Sequence, residues 1–67
     1  MNFSSRLKEL RKENKLSQYG LAKATGISQS AIARWELNKN EPTSSDLIKL
    51  SKFFNVNIEY LLGLSDY

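Results

Sequence analysis

The chain contains no cysteine and no histidine, and a single proline among its 67 residues. Without cysteine there are no disulfides, and with histidine also missing the commonest zinc ligands are gone. A domain this short buries only about 60% of the surface its unfolded chain exposes, so small folds normally need a staple. Stability here must come from packed, well-capped elements or from association. The same absences remove the usual neutral-pH proton shuttle and the most nucleophilic side chain. The seven acidic residues are scattered, and Gly20, Gly26 and Gly63 stand alone, so no phosphate-cradling loop is formed. The expectation is a binding protein, not an enzyme, with no cofactor or metal. No apolar run approaches the roughly 20 residues that span a bilayer, and no signal-peptide core is present. Lack of cysteine fits a reducing compartment. One domain over residues 1–67 and a cytoplasmic location follow as expectations.

What the chain does have is an uneven charge. The net charge is +3, yet residues 1–34 carry seven basic and two acidic side chains, while residues 35–67 carry three basic and five acidic. Arg6, Lys8, Arg11, Lys12 and Lys15 fall within ten residues, followed by Lys23 and Arg34. That asymmetry suits a face turned toward a polyanion, and equally a solvated, lysine-rich helix.

The apolar pattern has a helical period. Phe3, Leu7 and Leu10 recur at i, i+4 and i+7, predicting a helix over 3–14 capped by Asn2. Lys8, Lys12 and Lys15 fall opposite that stripe. Leu16-Ser17 opens a second helix that ends at Gly26, with Ser17 as N-cap and Leu16 closing on Leu21 as a hydrophobic staple. Ile27-Ser28 with Ile32 repeats the device, and Val56-Asn57 with Leu61 repeats it again. Asn38-Lys39-Asn40-Glu41-Pro42 reads as a loop. Thr43 with Asp46 resembles a capping box for a fourth helix, whose apolar set is Leu47, Leu50 and Phe54 with Ile48 and Phe53 at the flanks. Asn55 is a candidate left-handed stop, and a short fifth helix over about 58–62 ends at Gly63. No strand-like alternation appears. The fold class is all-α, a five-helix bundle.

Leu21, Ala22, Gly26, Ile27, Ile32 and Trp35 are spaced as in two helices packed across a tight turn. Ala22 is small enough for a close approach, and Gly26 is free to take positive φ. The string Ser17-Gln18-x-x-Leu21-Ala22-x-x-Thr25-Gly26-Ile27-Ser28-Gln29-Ser30-x-Ile32-x-x-Trp35-Glu36, then Pro42 and Ile58-Glu59-Tyr60-Leu61-Leu62-Gly63, resembles the phage Cro/CI-type (XRE) family of helix-turn-helix domains. The resemblance covers residues 5–63, with the helix-turn-helix at about 17–36. One departure is Gly20, where the family more often has Glu or another good helix former. Gly there costs roughly 0.5–1 kcal/mol of helix propensity and removes a capping box.

The resemblance implies a DNA-binding transcriptional regulator, a repressor, that inserts helix 3 (about 28–37) into the major groove of double-stranded DNA. The helical wheel agrees: Ile32, Trp35, Glu36 and Ser28 share one side, while Ser30, Arg34 and Leu37 project the other way, flanked by Ala33 and Gln29. By resemblance Gln29 reads a base, and a carboxamide has the donor and acceptor that adenine requires. Gln18 matches a family glutamine that bridges a phosphate to the base-reading one. Ser30 is short and adaptable, and Arg34 suits guanine bidentately or a phosphate. The bland reading makes Gln29 and Ser30 ordinary first-turn residues and Gln18 a surface residue.

Phosphate contacts are expected from Ser17 and Ser28, whose helices offer exposed N–H groups. They are also expected from Asn38, Lys39, Asn40 and Thr43, where the family grips the backbone. Arg11 and Glu36 match a family pair that forms a partly buried, fold-orienting ion pair. Trp35 reads as core. One helix-turn-helix makes few base contacts, and family members act as dimers on pseudo-palindromic operators. Candidates for a homodimer face are Ile48, Phe53, Ile58, Leu62, Leu64 and Tyr67; some must be core, and burial of all of them in the monomer is the equal alternative. The alternative reading is a protein-binding module such as an antitoxin, because fold does not fix function.

Overall fold

Every helix start is closed by a short polar side chain, as the sequence pattern predicts. The computed structural model describes residues 1–66; Tyr67, a candidate for the dimer face, lies outside the described residues. Five helices follow one another: α1 (Phe3–Glu13), α2 (Gln18–Thr25), α3 (Gln29–Glu36), α4 (Ser44–Phe54) and α5 (Ile58–Leu61). No strand occurs among the described residues. The oxygens of Ser17, Ser28, Thr43 and Asn57 accept the N–H of Gly20, Ala31, Asp46 and Tyr60 respectively. Asn2 goes further than a simple cap: it accepts from Ser5 N–H at 2.9 Å and its own N–H donates to Ser5 Oγ at 3.3 Å. The Thr43–Asp46 pair closes in a different way, with the Thr43 hydroxyl donating to the Asp46 carboxylate at 2.8 Å.

Helix ends are made by left-handed residues. Gly26 (φ 77°) and Asn55 (φ 56°) take this role as expected, but so do Lys15 (φ 58°) and Asn38 (φ 59°). A left-handed L-residue costs about 1–2 kcal/mol. The return is a Schellman closure: Leu16 N–H donates to the Arg11 carbonyl at 3.0 Å, and Lys39 N–H to the Arg34 carbonyl at 2.9 Å.

The core is Leu7, Leu10, Leu21, Ile27, Ile32, Trp35, Leu50 and Leu61, drawn from every helix and from the turn between α2 and α3. Trp35 is buried and meets Phe3 edge-on, with ring centroids 5.8 Å apart. Helix α3 packs on α1 and α2, and α5 packs on α1 and α4. The molecule measures 26 × 23 × 21 Å. No helix among the described residues is long and apolar enough to cross a membrane.

One basic residue leaves the expected surface. Arg6 is 4% exposed. Its Nη1 donates to the Tyr60 carbonyl at 2.8 Å, its guanidinium lies 3.6 Å from the Tyr60 ring centroid, and Nε lies 3.3 Å from Glu9. Arg6 therefore fastens α5 to α1 and adds nothing to the polyanion-facing charge. A buried cation needs partners on every side, and the fold supplies them.

Candidate nucleic-acid interface

Two N-capped helices on either side of a three-residue turn carry the side chains in question. The carboxyl end of α2 stops at left-handed Gly26, and Ile27 plunges into the core, so α3 begins at once with Ser28 as its cap. Burial of Ile32 and Trp35 fixes the rotation of α3 about its axis. On the opposite side Gln29, Ser30, Arg34 and Leu37 are exposed, with Ala33 half-buried beside them. Ser30, Arg34 and Leu37 are spaced i, i+4, i+7 and so form one stripe. Leu37, 64% exposed, is the apolar member.

The groups expected to grip anions are exposed as well. Ser17 and Ser28 are exposed at the starts of α2 and α3, and Asn38, Lys39, Asn40 and Thr43 are exposed after α3. Asn38 is spent partly on backbone geometry, because it is the left-handed residue that ends α3. Lys8, Lys12 and Lys15 are exposed on and after α1, and Lys8 is near enough for its charge to act on Glu36. On α2 the outward pair is Tyr19 and Lys23, with the ammonium 5.8 Å from the ring centroid. Sequence reasoning gave Tyr19 no role; its position one residue after Gln18, off the Leu21 face, was the available signal.

Beneath this surface lies an ion pair. Arg11 Nε donates to Glu36 Oε2 at 2.6 Å and Nη2 to Oε1 at 2.8 Å, a bidentate fork. Arg11 Nη1 also donates to the Leu16 carbonyl at 2.9 Å. Gln18 is half-buried, and its Nε2 donates to Glu36 Oε1 at 3.1 Å. The buried Ser4 hydroxyl donates to the Glu36 backbone carbonyl at 2.8 Å. Burial pushes the Glu36 carboxyl up, but hydrogen bonds from Arg11 and Gln18 and the charges of Arg11 and Lys8 outweigh it. The group therefore stays below its ordinary value. The hydrogen bond to Glu36 correspondingly raises Arg11, against the effect of its own desolvation. No buried side-chain nitrogen or oxygen among the described residues lacks a partner.

A helix-turn-helix family model matches residues 7–61. The chain belongs to the Cro/CI-type helix-turn-helix family. Its relatives include the uncharacterized HTH-type transcriptional regulator YobD of Bacillus subtilis, 34% identical over 96% of this chain and 57% of that protein. The HTH-type transcriptional activator BcrR of Enterococcus faecalis is 40% identical over 94% of this chain and 31% of its own length. The chain thus spans little more than half of the first of these helix-turn-helix proteins and a third of the second. The solved P22 c2 repressor, crystallised with a synthetic operator, superposes with a TM-score of 0.88 at 34% identity, covering 97% of this chain and 98% of that one.

Proposed function

We propose that this chain is a sequence-specific DNA-binding transcriptional regulator. It acts as a dimer on a pseudo-palindromic operator, with the N-terminal end of α3 set in the major groove of each half-site. The single observation that carries the reading is the exposed face of α3 bearing Gln29, Ser30 and Arg34, held outward by the burial of Ile32 and Trp35 on its other side. The family membership and the operator complex of the P22 c2 repressor support it. In this reading Gln29 reads adenine, Ser30 and Arg34 contact neighbouring bases, and Gln18 backs Gln29 from the start of α2. Ser17, Ser28, Asn38, Lys39, Asn40 and Thr43 hold phosphates and set the register. Repression is the simplest mode, by occupancy of the operator.

Few base contacts per copy favour two copies, with half-sites about one turn of DNA apart. The apolar residues Ile48, Phe53 and Leu64 are exposed, and in this reading they supply a face for the second copy. Ile58 and Leu62 are half-buried and contribute less.

Selection of binding sites from random DNA tests the proposal. The expected outcome is an enriched inverted repeat with centres about 34 Å apart. Recovery of no preferred sequence would overturn the reading, and a single asymmetric half-site would overturn the dimer.

A further inference from the structure

Glu36 stands where three helices meet, and its bonds have a direction. Its side chain is 3% exposed. Oε2 receives Arg11 Nε, while Oε1 receives both Arg11 Nη2 and Gln18 Nε2. An ionised carboxylate accepts and never donates, so it takes only the nitrogen edge of the Gln18 carboxamide. A glutamine without such a partner presents either edge, because a flip exchanges oxygen and nitrogen at almost no steric cost. Gln18 has lost that freedom. It is the first residue of α2, and what remains for groups outside is its carbonyl oxygen and one amide hydrogen.

We infer that Glu36 is a positioning residue for DNA recognition: by holding the amide nitrogen of Gln18 it turns the carbonyl oxygen outward to meet a hydrogen-bond donor. The matching donor is an N–H group, either a base amino group or the side-chain amide of Gln29. This rests on the proposed DNA-binding role, and it gives the Arg11–Glu36 pair a second task besides orienting helices. Arg11 keeps Glu36 ionised and aims its Oε1; Glu36 in turn sets which edge of Gln18 faces out. The direction of each hydrogen bond passes from a group that never loses its proton, the guanidinium, through a group that never donates, to one that would otherwise be ambiguous.

The test compares base preference, measured by titrating a panel of operators with single base-pair changes. Gln18→Met keeps length and removes both edges. Arg11→Met with Glu36→Leu replaces the buried pair by apolar groups of similar volume, a change that commonly leaves such folds stable. Gln18→Met is expected to lose about fivefold discrimination at one or two base pairs, the equivalent of one hydrogen bond. The paired replacement should lose the same discrimination at the same base pairs, keep its affinity for non-specific DNA, and show no further loss when Gln18→Met is added. Gln29→Ala tells the two donors apart, since it erases the Gln18-dependent preference only if Gln29 is the donor. The inference is overturned if the paired replacement retains the Gln18-dependent preference, or weakens all sequences equally as a merely structural role would. A wild-type protein with no sequence preference would overturn the proposed function itself, and the inference with it.

Discussion

The guanidinium of Arg6 lies 3.6 Å from the ring centroid of Tyr60 and donates to the carbonyl of that same residue at 2.8 Å. One side chain thus holds a ring and the backbone behind it. Arg6→Met should lower stability by about 2–4 kcal/mol, combining a desolvated cation–π contact with a charged hydrogen bond. Arg6→Lys should recover little, because an ammonium lacks the planar fork. Urea denaturation measures both. Because Arg6 is internal, the salt dependence of DNA binding should be unchanged in either variant.

Acid should weaken the fold through Glu36. Its folded carboxyl titrates below its unfolded value, so its contribution is fully present above the ordinary carboxylate range. That contribution disappears as pH falls below the range and through the depressed folded value. A stability–pH profile of wild type should therefore decline more steeply below about pH 4.3 than that of Glu36→Gln. Glu36→Gln should already be less stable at pH 7, since it leaves the partly buried Arg11 with half its fork unanswered. Parallel profiles would refute the assignment.

Two left-handed glycines are expected to respond differently to alanine. At Gly26 (φ 77°) a Cβ meets nothing within 4 Å, so Gly26→Ala carries only the conformational penalty of roughly 1–2 kcal/mol. At Gly63 (φ 79°) the Cβ would sit 2.7 Å from the carbonyl carbon of Met1, against backbone that has to move. Gly63→Ala should cost clearly more, roughly 3 kcal/mol. Thermal melts of the two variants side by side would show equal losses if the contact with Met1 were unimportant.

Gln29→Ala should reduce affinity for the selected operator by about 1–3 kcal/mol and relax preference at one base position per half-site. A mobility-shift titration across operators that differ at that position gives the answer. Unchanged affinity would remove Gln29 from the reading set.

Lys39→Ala should weaken binding to all sequences alike and make the slope of log affinity against log salt shallower by about one ion. A shift in base preference with an unaltered slope would show that Lys39 touches bases instead.

Much of this architecture is legible in the sequence because helix starts are local events. Ser17, Ser28, Thr43 and Asn57 each sit one residue ahead of their helix, and each accepts from the N–H three residues on. The ends were harder to read. Gly26 and Asn55 advertise a left-handed conformation, but Lys15 does not, since its chemistry gives no preference for positive φ. A charge count places Arg6 on the surface because it treats every cation as solvated. Arg6 lies three residues after Phe3 and beside Leu7, within the apolar stripe, and that spacing is what marks it as internal. Gln18 is legible as a candidate site residue through resemblance alone. Its bond to Glu36 spans 18 residues and depends on how α2 crosses α3, which no local pattern encodes.

The approach of Gly63 to Met1 has a consequence for how the molecule opens. Contacts between the two ends of the chain close a loop of nearly its whole length, so they are the most non-local in the fold and the last whose closure entropy is recovered. Helix α5 has only four residues and cannot persist once detached. Fraying of the first turn of α1 and loss of α5 should therefore be a single cooperative event, with amides at both extremes of the sequence exchanging with solvent at a common rate, while those of α2 and α3 wait for global unfolding.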